Sequence, residues 1–372
     1  MSCDITHQAF GSLLKNVVDN RGKTCPVADK GMPLIATNCI TNDYLYPQFE
    51  KVRYVAEDTY KNWFRGHPLP GDIIFVLKGT PGRVAWVPDP VGFCIAQDMV
   101  AIRADETKIY PKYLFAVLRS NTIQQEIEGL HVGSLIPHFK KGDFDDLKIP
   151  VVESALQKFI GDQYFNISLK IDLLHRQNKT LEALAETLFR QWFVEEAQED
   201  WEDGRLGDVI ELHYGKGLKK EERAGSGYPV VGSSGIVDYH TEFLVKGPGI
   251  VIGRKGTLGK VIYLWDNFYP IDTTYYVKSK VESAGLLYEY FLLKTIAFED
   301  MNTDSAVPGL NRDIALSTEI KIPPENKLHG FNELVADFVG KLKTNRDQIH
   351  TLEKLRDTLL PKLMSGEVRV EI

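Results

Sequence analysis

Two glycine-punctuated basic segments carry the side chains best suited to binding a polyanion. Ile252-Gly-Arg-Lys-Gly-Thr-Leu-Gly-Lys260 sets Arg254, Lys255 and Lys260 among three glycines. Lys78-Gly-Thr-Pro-Gly-Arg-Val84 has the same outline and offers Lys78, Thr80 and Arg83. The glycines suggest a phosphate cradle, yet the first of these segments lacks the Gly-Lys-Ser/Thr ending of a nucleotide loop, and Val261-Ile-Tyr-Leu264 after it reads as strand rather than helix. A tight turn between two strands is expected, presenting its cations to phosphates or guanine edges.

Other polar clusters recur in parallel places. Thr37-Asn38 and Ser233-Ser234, the latter inside Gly232-Ser-Ser-Gly235, both follow a Pro-led apolar run. Their side chains can bond base edges or phosphates, although as turn formers they need no such role. His138, Lys140 and Lys141 align loosely with Asn311 and Arg312, where solvated charge is the ordinary reading. Lys216, Lys219, Lys220 and Arg223 form a basic run that suits a loop facing phosphates better than a reader of bases.

Catalytic constellations are poor by comparison. The Pro-Pro pair in Ile322-Pro-Pro-Glu325 has the wrong neighbours for an Asn/Asp-Pro-Pro-aromatic loop that holds a flipped adenine. Pro88-Asp89 with Glu106-Thr-Lys108 formally matches a Mg²⁺-dependent nuclease, in which carboxylates hold the metal. Nothing equivalent appears in the second half of the chain, so this pattern is read as coincidence.

At 372 residues, 43% hydrophobic and 26% charged, the chain has the composition of a folded protein of two or three domains. No run approaches a membrane span, and the first residues lack the basic start and apolar core of a signal peptide, so a cytoplasmic protein is expected. Cys3, Cys25, Cys39 and Cys94 never fall in a C-x-x-C spacing, which argues for idle thiols and no metal site. The net charge of −7, taken as a total, argues against a nucleic-acid partner. Its distribution softens that objection: residues 1–150 hold 17 basic against 17 acidic side chains, while residues 151–202 hold 5 against 10. Near-neutral blocks permit a basic face.

The elements that must position these residues are written twice. Thr180-Leu-Glu-Ala-Leu-Ala-Glu-Thr-Leu-Phe189 returns 171 residues later as Thr351-Leu-Glu-Lys-Leu-Arg-Asp-Thr-Leu-Leu360, with six of ten positions identical. Lys148-Ile-Pro150 likewise reappears as Lys321-Ile-Pro323. The matches keep their order, which points to a duplicated domain with a helical tail. Four segments follow: a mixed α and β block over 1–150, a helix over 151–202, a second block over 203–323 and a second helix over 324–372.

Both helices carry an apolar seam. Ile160, Ile167, Leu174, Leu181 and Leu188 run at seven-residue spacing beside Tyr164, Ile171, Asn178, Ala185 and Trp192. The second seam pairs Phe338, Asn345, Leu352 and Leu359 with Val335, Leu342, Ile349 and Leu363. Such seams predict a coiled coil. The economical arrangement is the two helices packed antiparallel, a ruler of roughly 60 Å with a globular block at each end. Asn178 and Asn345 interrupt the seams and are expected to meet, setting register.

Leu184-Ala-Glu-Thr-Leu-Phe-Arg-Gln-Trp-Phe193, Leu206-Gly-Asp-Val209 and Leu359-Leu-Pro-Lys-Leu-Met-Ser-Gly-Glu-Val368 together resemble the specificity subunit of Type I restriction-modification systems, over the whole chain and in the same order. Phe10-Gly-Ser-Leu-Leu14 departs from the second block's Trp201 and Leu206-Gly-Asp pattern. The resemblance implies an α+β, pseudo-two-fold chain with two target-recognition domains and two antiparallel spacer helices. Each domain would read one half of a split site on double-stranded DNA, and the helices would set the gap and dock two methyltransferase subunits. S-adenosylmethionine would sit in those partners, leaving this chain without a cofactor, and restriction subunits would add cleavage. It also places His138, Lys140, Lys141, Asn311 and Arg312 near the DNA. The isolated chain should leave plasmid DNA intact in the presence of Mg²⁺; nicking abolished by Asp89→Ala would instead support the nuclease pattern.

Overall fold

The computed structural model of the chain describes residues 5–367 apart from 21, 23, 96, 131–136, 199, 282–285, 302–308, 365 and 366. Cys3 and the end of the C-terminal motif lie outside the described residues. Contacts gather the chain into two compact units, one made of Met1–Arg176 with Arg346–Ile372 and the other of Gln177–Asn345. The units therefore do not follow four consecutive segments; each long helix is divided between them.

The first unit is built on a four-stranded antiparallel sheet in the order Leu14–Val18, Met99–Ala104, Ile73–Val76, Val84–Trp86. Ile73-Ile-Phe-Val76 is buried at every position, as expected of a strand covered on both faces. A smaller sheet places Met32–Ile35 antiparallel to Arg53–Val55 and parallel to Cys94–Ile95. Thr6–Ala9 pairs with Lys148–Val151 just before the first long helix, Ser154–Arg190. Cys25, Cys39 and Cys94 are buried free thiols, and burial pushes the Cys94 thiol up to about 12.

The second unit repeats this plan strand for strand. Its larger sheet runs Ile210–Tyr214, Thr274–Ser279, Gly249–Gly253, Val261–Leu264, all antiparallel. Tyr228–Gly232 lies antiparallel to Gly235–His240 and parallel to Tyr269–Pro270. Glu202–Arg205 pairs with Glu319–Ile322 before the second long helix, Glu325–Met364. The departure at the N-terminus leaves the fold unaltered: Phe10–Leu13 forms a 3₁₀ turn whose Phe10 N–H donates to Leu147 O at 2.9 Å, as Leu206 of the short helix Leu206–Val209 donates to Thr318 O at 2.8 Å. Both Phe10 and Leu206 are fully buried, so one apolar side chain replaces another at the same place.

The long helices run antiparallel within each unit. In the first, Ile160 and Tyr164 meet Leu359 and Leu363, and further along Ile171 and Leu174 meet Ile349. In the second, Phe189 meets Phe331 while Asn178 meets Asn345. The seam is not a plain coiled coil along its whole length. Leu156, Ile160, Tyr164 and Phe165 join the first unit's sheet core, and Ala185, Phe189, Phe331 and Val335 join the second's. Helix packs on helix apart from the sheet cores around Ile167, Ile171, Leu174, Ile349 and Leu352, and at Asn178 and Asn345. Phe165 and Phe189 lie off the heptad positions and are nevertheless buried, because each unit covers a second face of the helix.

Asn345 is fully buried, and its Nδ2 donates to Asn178 Oδ1 and to Gln177 Oε1, each at 2.8 Å. Its own Oδ1 is buried without a partner among the described residues. An unsatisfied buried acceptor costs about 1–3 kcal/mol, whereas a leucine there would gain from burial. Asn345→Leu should therefore raise the thermal midpoint while loosening register. Cross-linking between cysteines introduced at Leu174 and Ile349 should spread to offset pairs in that variant; a pattern unchanged from the parent would refute a register role.

Candidate nucleic-acid interface

The two basic glycine segments form the same turn. In the first unit Leu77 and Lys78 donate their backbone N–H groups to Asp98 O at 2.8 and 3.2 Å, and Gly82 donates to Val76 O at 3.0 Å. In the second, Arg254 and Lys255 donate to Thr273 O at 2.9 and 3.1 Å, and Gly259 donates to Gly253 O at 2.9 Å. Glycine is required on conformational grounds: Gly79 and Gly256 have φ of 85° and 81°, and Gly82 and Gly259 have 88° and 70°. Each turn links the third and fourth strands of its larger sheet and aligns position for position with the other.

A strand-like segment then closes over each turn. Lys78 forms an isolated antiparallel bridge with His138, and Lys255 forms one with Gly309. Phe139 N–H donates to Leu77 O at 2.8 Å and Leu310 N–H to Arg254 O at 2.9 Å. The fold thus brings His138 to Lys78, and Asn311 and Arg312 to Arg254 and Lys255, in side-by-side pairs that are some 60 residues apart in sequence. Lys140 and Lys141 follow directly and are exposed. Asn311 caps the short helix Arg312–Leu316, its Oδ1 accepting from Asp313 and Ile314 N–H at 2.9 and 3.2 Å.

Ser233 and Ser234 form a two-residue turn between Tyr228–Gly232 and Gly235–His240. They reach the basic turn: Lys260 Nζ donates to Ser234 O at 2.6 Å, and a Cβ added at Gly256 would stand 3.6 Å from Ser233 Oγ. Thr37 and Asn38 do not form the matching hairpin. They sit in a 3₁₀ turn, with Asn38 Nδ2 donating to Glu50 O at 2.8 Å, because the first unit inserts a longer excursion between the equivalent strands. Part of that excursion is held by buried Arg119, whose guanidinium donates to the Thr41, Tyr44 and Val84 carbonyl oxygens.

The remaining candidates divide. Lys78, Lys255 and Lys260 are exposed and Arg83 and Arg254 half-buried. Thr80 is half-buried, and its Oγ1 is buried and without a partner among the described residues. The run containing Lys219 and Lys220 folds into a 3₁₀ turn, Lys220–Glu222, in which Lys219 N–H donates to Glu222 Oε2 at 3.2 Å. Glu221 and Glu222 offset its charge, so this loop is a weaker attractor of phosphate than its lysines alone suggest. Of the nuclease pattern, Lys108 is engaged within its own neighbourhood: it donates to Ser12 O at 2.8 Å and pairs with Asp105. Among the described residues no group of three or more His, Cys, Asp or Glu could hold a metal, and no helix is long and apolar enough to cross a membrane.

Tyr214 and Tyr275 escaped the sequence reading. Arg254 lies 5.1 and 5.7 Å from the centroids of these two rings, and Arg312 lies 5.5 Å from that of Tyr214. Burial pushes the Tyr275 hydroxyl up to about 12, so it stays protonated and donates to Leu310 O at 3.0 Å. The one available signal was Tyr214 ending an alternating strand just before Gly215-Lys216.

The model of the Type I restriction modification DNA specificity domain matches residues 14–183 and again 198–356. The chain belongs to this family. Each of its units contains most of one specificity domain, and the chain is a Type I specificity subunit with two target-recognition domains. Among its relatives is the MjaIX specificity subunit of Methanocaldococcus jannaschii, 26% identical over 333 residues that make up 76% of each chain. A type I specificity subunit of Mycoplasma genitalium is 25% identical over 328 residues, 78% of this chain and 80% of that one. In fold, the chain resembles the crystal structure of a Type I restriction-modification S subunit from M. genitalium, with a TM-score of 0.64 at 19% identity over 97% of this chain and 96% of the other.

The two turns should differ in their tolerance of alanine. A Cβ at Gly79 meets nothing within 4 Å among the described residues, so Gly79→Ala should cost chiefly its positive φ, about 1 kcal/mol. At Gly259 the Cβ would stand 2.6 Å from Phe298 Cβ, so Gly259→Ala should cost clearly more. Thermal unfolding of the two variants checks the order; equal losses would contradict the geometry.

Proposed function

We propose that this specificity subunit is the non-catalytic DNA-reading component of a Type I restriction-modification complex in the cytoplasm. Each unit reads one half of a bipartite, non-palindromic site on double-stranded DNA through its glycine turn and the segment that closes over it. The candidate contacts are Lys78, Arg83, His138, Lys140 and Lys141 in the first unit and Ser233, Ser234, Arg254, Lys255, Lys260, Asn311 and Arg312 in the second. The two long helices set the unread gap and dock two methyltransferase subunits, which supply S-adenosylmethionine and modify adenine, with restriction subunits joining for cleavage. Asn178 and Asn345 hold the helices in the register that this gap requires.

The supporting observation is the pair of turns with equivalent backbone bonding and different side chains, which is what two readers of different half-sites need. A scaffold that never touched DNA would explain the helices but leave the matched basic turns without a use. Lysines on a rigid turn contribute chiefly through phosphate contact and counterion release, a salt-sensitive effect that carries no sequence information.

Mapping methylated adenines in host DNA with and without this chain tests the reading. The expected result is two short, different motifs at a fixed gap, both lost when the chain is removed; unchanged methylation would overturn it. In the assembled complex, Lys78→Ala combined with Lys255→Ala should lower the slope of log K against log salt by about 2, roughly 0.9 for each phosphate contact removed. Binding with an unaltered slope would remove both lysines from the interface.

A further inference from the structure

We infer that Arg254, mounted on Tyr214 and Tyr275, reads a guanine and makes the second unit's half-site depend on that base. The inference deepens the reading of the chain as the DNA-binding subunit and rests on it. Arg254 occupies a cleft of about 280 Å³ that also contains Tyr214, Tyr275, Asn311, Arg312 and Asp313. Tyr214 is 51% exposed although its ring lies 5.0 Å from that of Tyr275, tilted by 57°. The two rings flank the Arg254 guanidinium, 5.1 and 5.7 Å from their centroids, and hold it in place. Its Nε is buried and has no acceptor among the described residues, which leaves the terminal Nη groups to meet a base.

Holding the group in this way removes most of the rotamer freedom that an exposed arginine would lose on binding. A planar donor edge kept in place fits the paired O6 and N7 acceptors of guanine in the major groove. A phosphate would also accept from it, since Lys255 and Arg312 line the same cleft and the one carboxylate there, Asp313, is paired with Arg312 at 3.5 Å; the planar edge, not the charge, is what favours a base. The Asp313 carboxylate can accept from a base amino group.

The first unit lacks this device at every equivalent position. Leu77 stands where Arg254 does, with the same backbone partners, and is fully buried. Val100, opposite Phe75, stands where Tyr275 lies opposite Ile252. A shared frame therefore carries an arginine reader in one unit and an aliphatic residue in the other.

The test uses the chain assembled with its methyltransferase subunits and a randomised duplex library, from which bound molecules are selected and sequenced. Wild type should select a bipartite site with a guanine required in one half. Arg254→Ala, and Arg254→Lys with its charge kept, should flatten the preference at that position by roughly 5- to 150-fold and leave the other half-site unchanged. Replacing the same guanine by 7-deazaguanine, which lacks N7, should weaken wild type and have little effect on either variant. Tyr214→Leu should give a smaller loss at the same position. If the variants instead bind all sequences more weakly, with the selected site unchanged, Arg254 is a phosphate contact and the inference fails alone. If wild type selects no site, the proposed function fails with it.

Discussion

An apolar stripe running along a 37-residue helix cannot be left in water, and the fold answers that constraint twice. The first long helix, Ser154–Arg190, buries Ile160 and Tyr164 in one unit and Ala185 and Phe189 in the other. The second, Glu325–Met364, gives Leu363 to the first core and Phe331 and Val335 to the second. Each such side chain is worth about 1.5–3 kcal/mol when fully buried. The helices are consequently part of both hydrophobic cores, and neither unit's core is complete without segments far removed in sequence. At Ile171, Leu174 and Ile349 the helices pack on each other, and at Asn345 a fully buried asparagine replaces one apolar residue of the seam. A polar group in that position is tolerable only where its partner is in place, which is why a hydrogen bond there can discriminate among registers that apolar packing alone would accept.

The two units show how a duplicated frame diverges. Backbone hydrogen bonds, positive-φ glycines and strand order are the same at the turns Leu77–Gly82 and Arg254–Gly259, because those features are what make the turn possible. Side chains on the turn are under no such restriction. Leu77 packs inward while Arg254 lies on two tyrosines, and the hairpin at Ser233–Ser234 becomes a longer excursion in the first unit, held by Arg119. Variation of this kind alters what is read without disturbing what folds, a division that suits a protein whose task is specificity.

Much of the architecture was legible in the sequence. The repeat of Thr180–Phe189 at Thr351–Leu360 disclosed the duplication, the seams disclosed the long helices, and Val261–Leu264 was recognisable as a strand that made the preceding glycines a turn. Other features were hidden for definite reasons. Phe165 and Phe189 fall off the heptad because the helix touches a sheet as well as its partner helix, and periodicity reports one face more clearly than two. Thr80 is a plausible contact by type, yet its hydroxyl is buried, and no local pattern distinguishes inward from outward on a turn. Tyr214 and Tyr275 lie 61 residues apart and become neighbours only through strand pairing.

The sequence by itself determined what depends on local chemistry: where glycine must supply positive φ, where apolar spacing demands a long helix, and how the second half copies the first. The tertiary structure decided which distant side chains share a surface, bringing Arg312 and Arg254 to Tyr214 and setting Asn345 against Asn178. The physical reason is that periodicity and turn propensity act over a few residues, whereas a cation over an aromatic ring or a buried amide pair requires two separate segments to be held a few ångströms apart, and only the packed sheets and helices can hold them there.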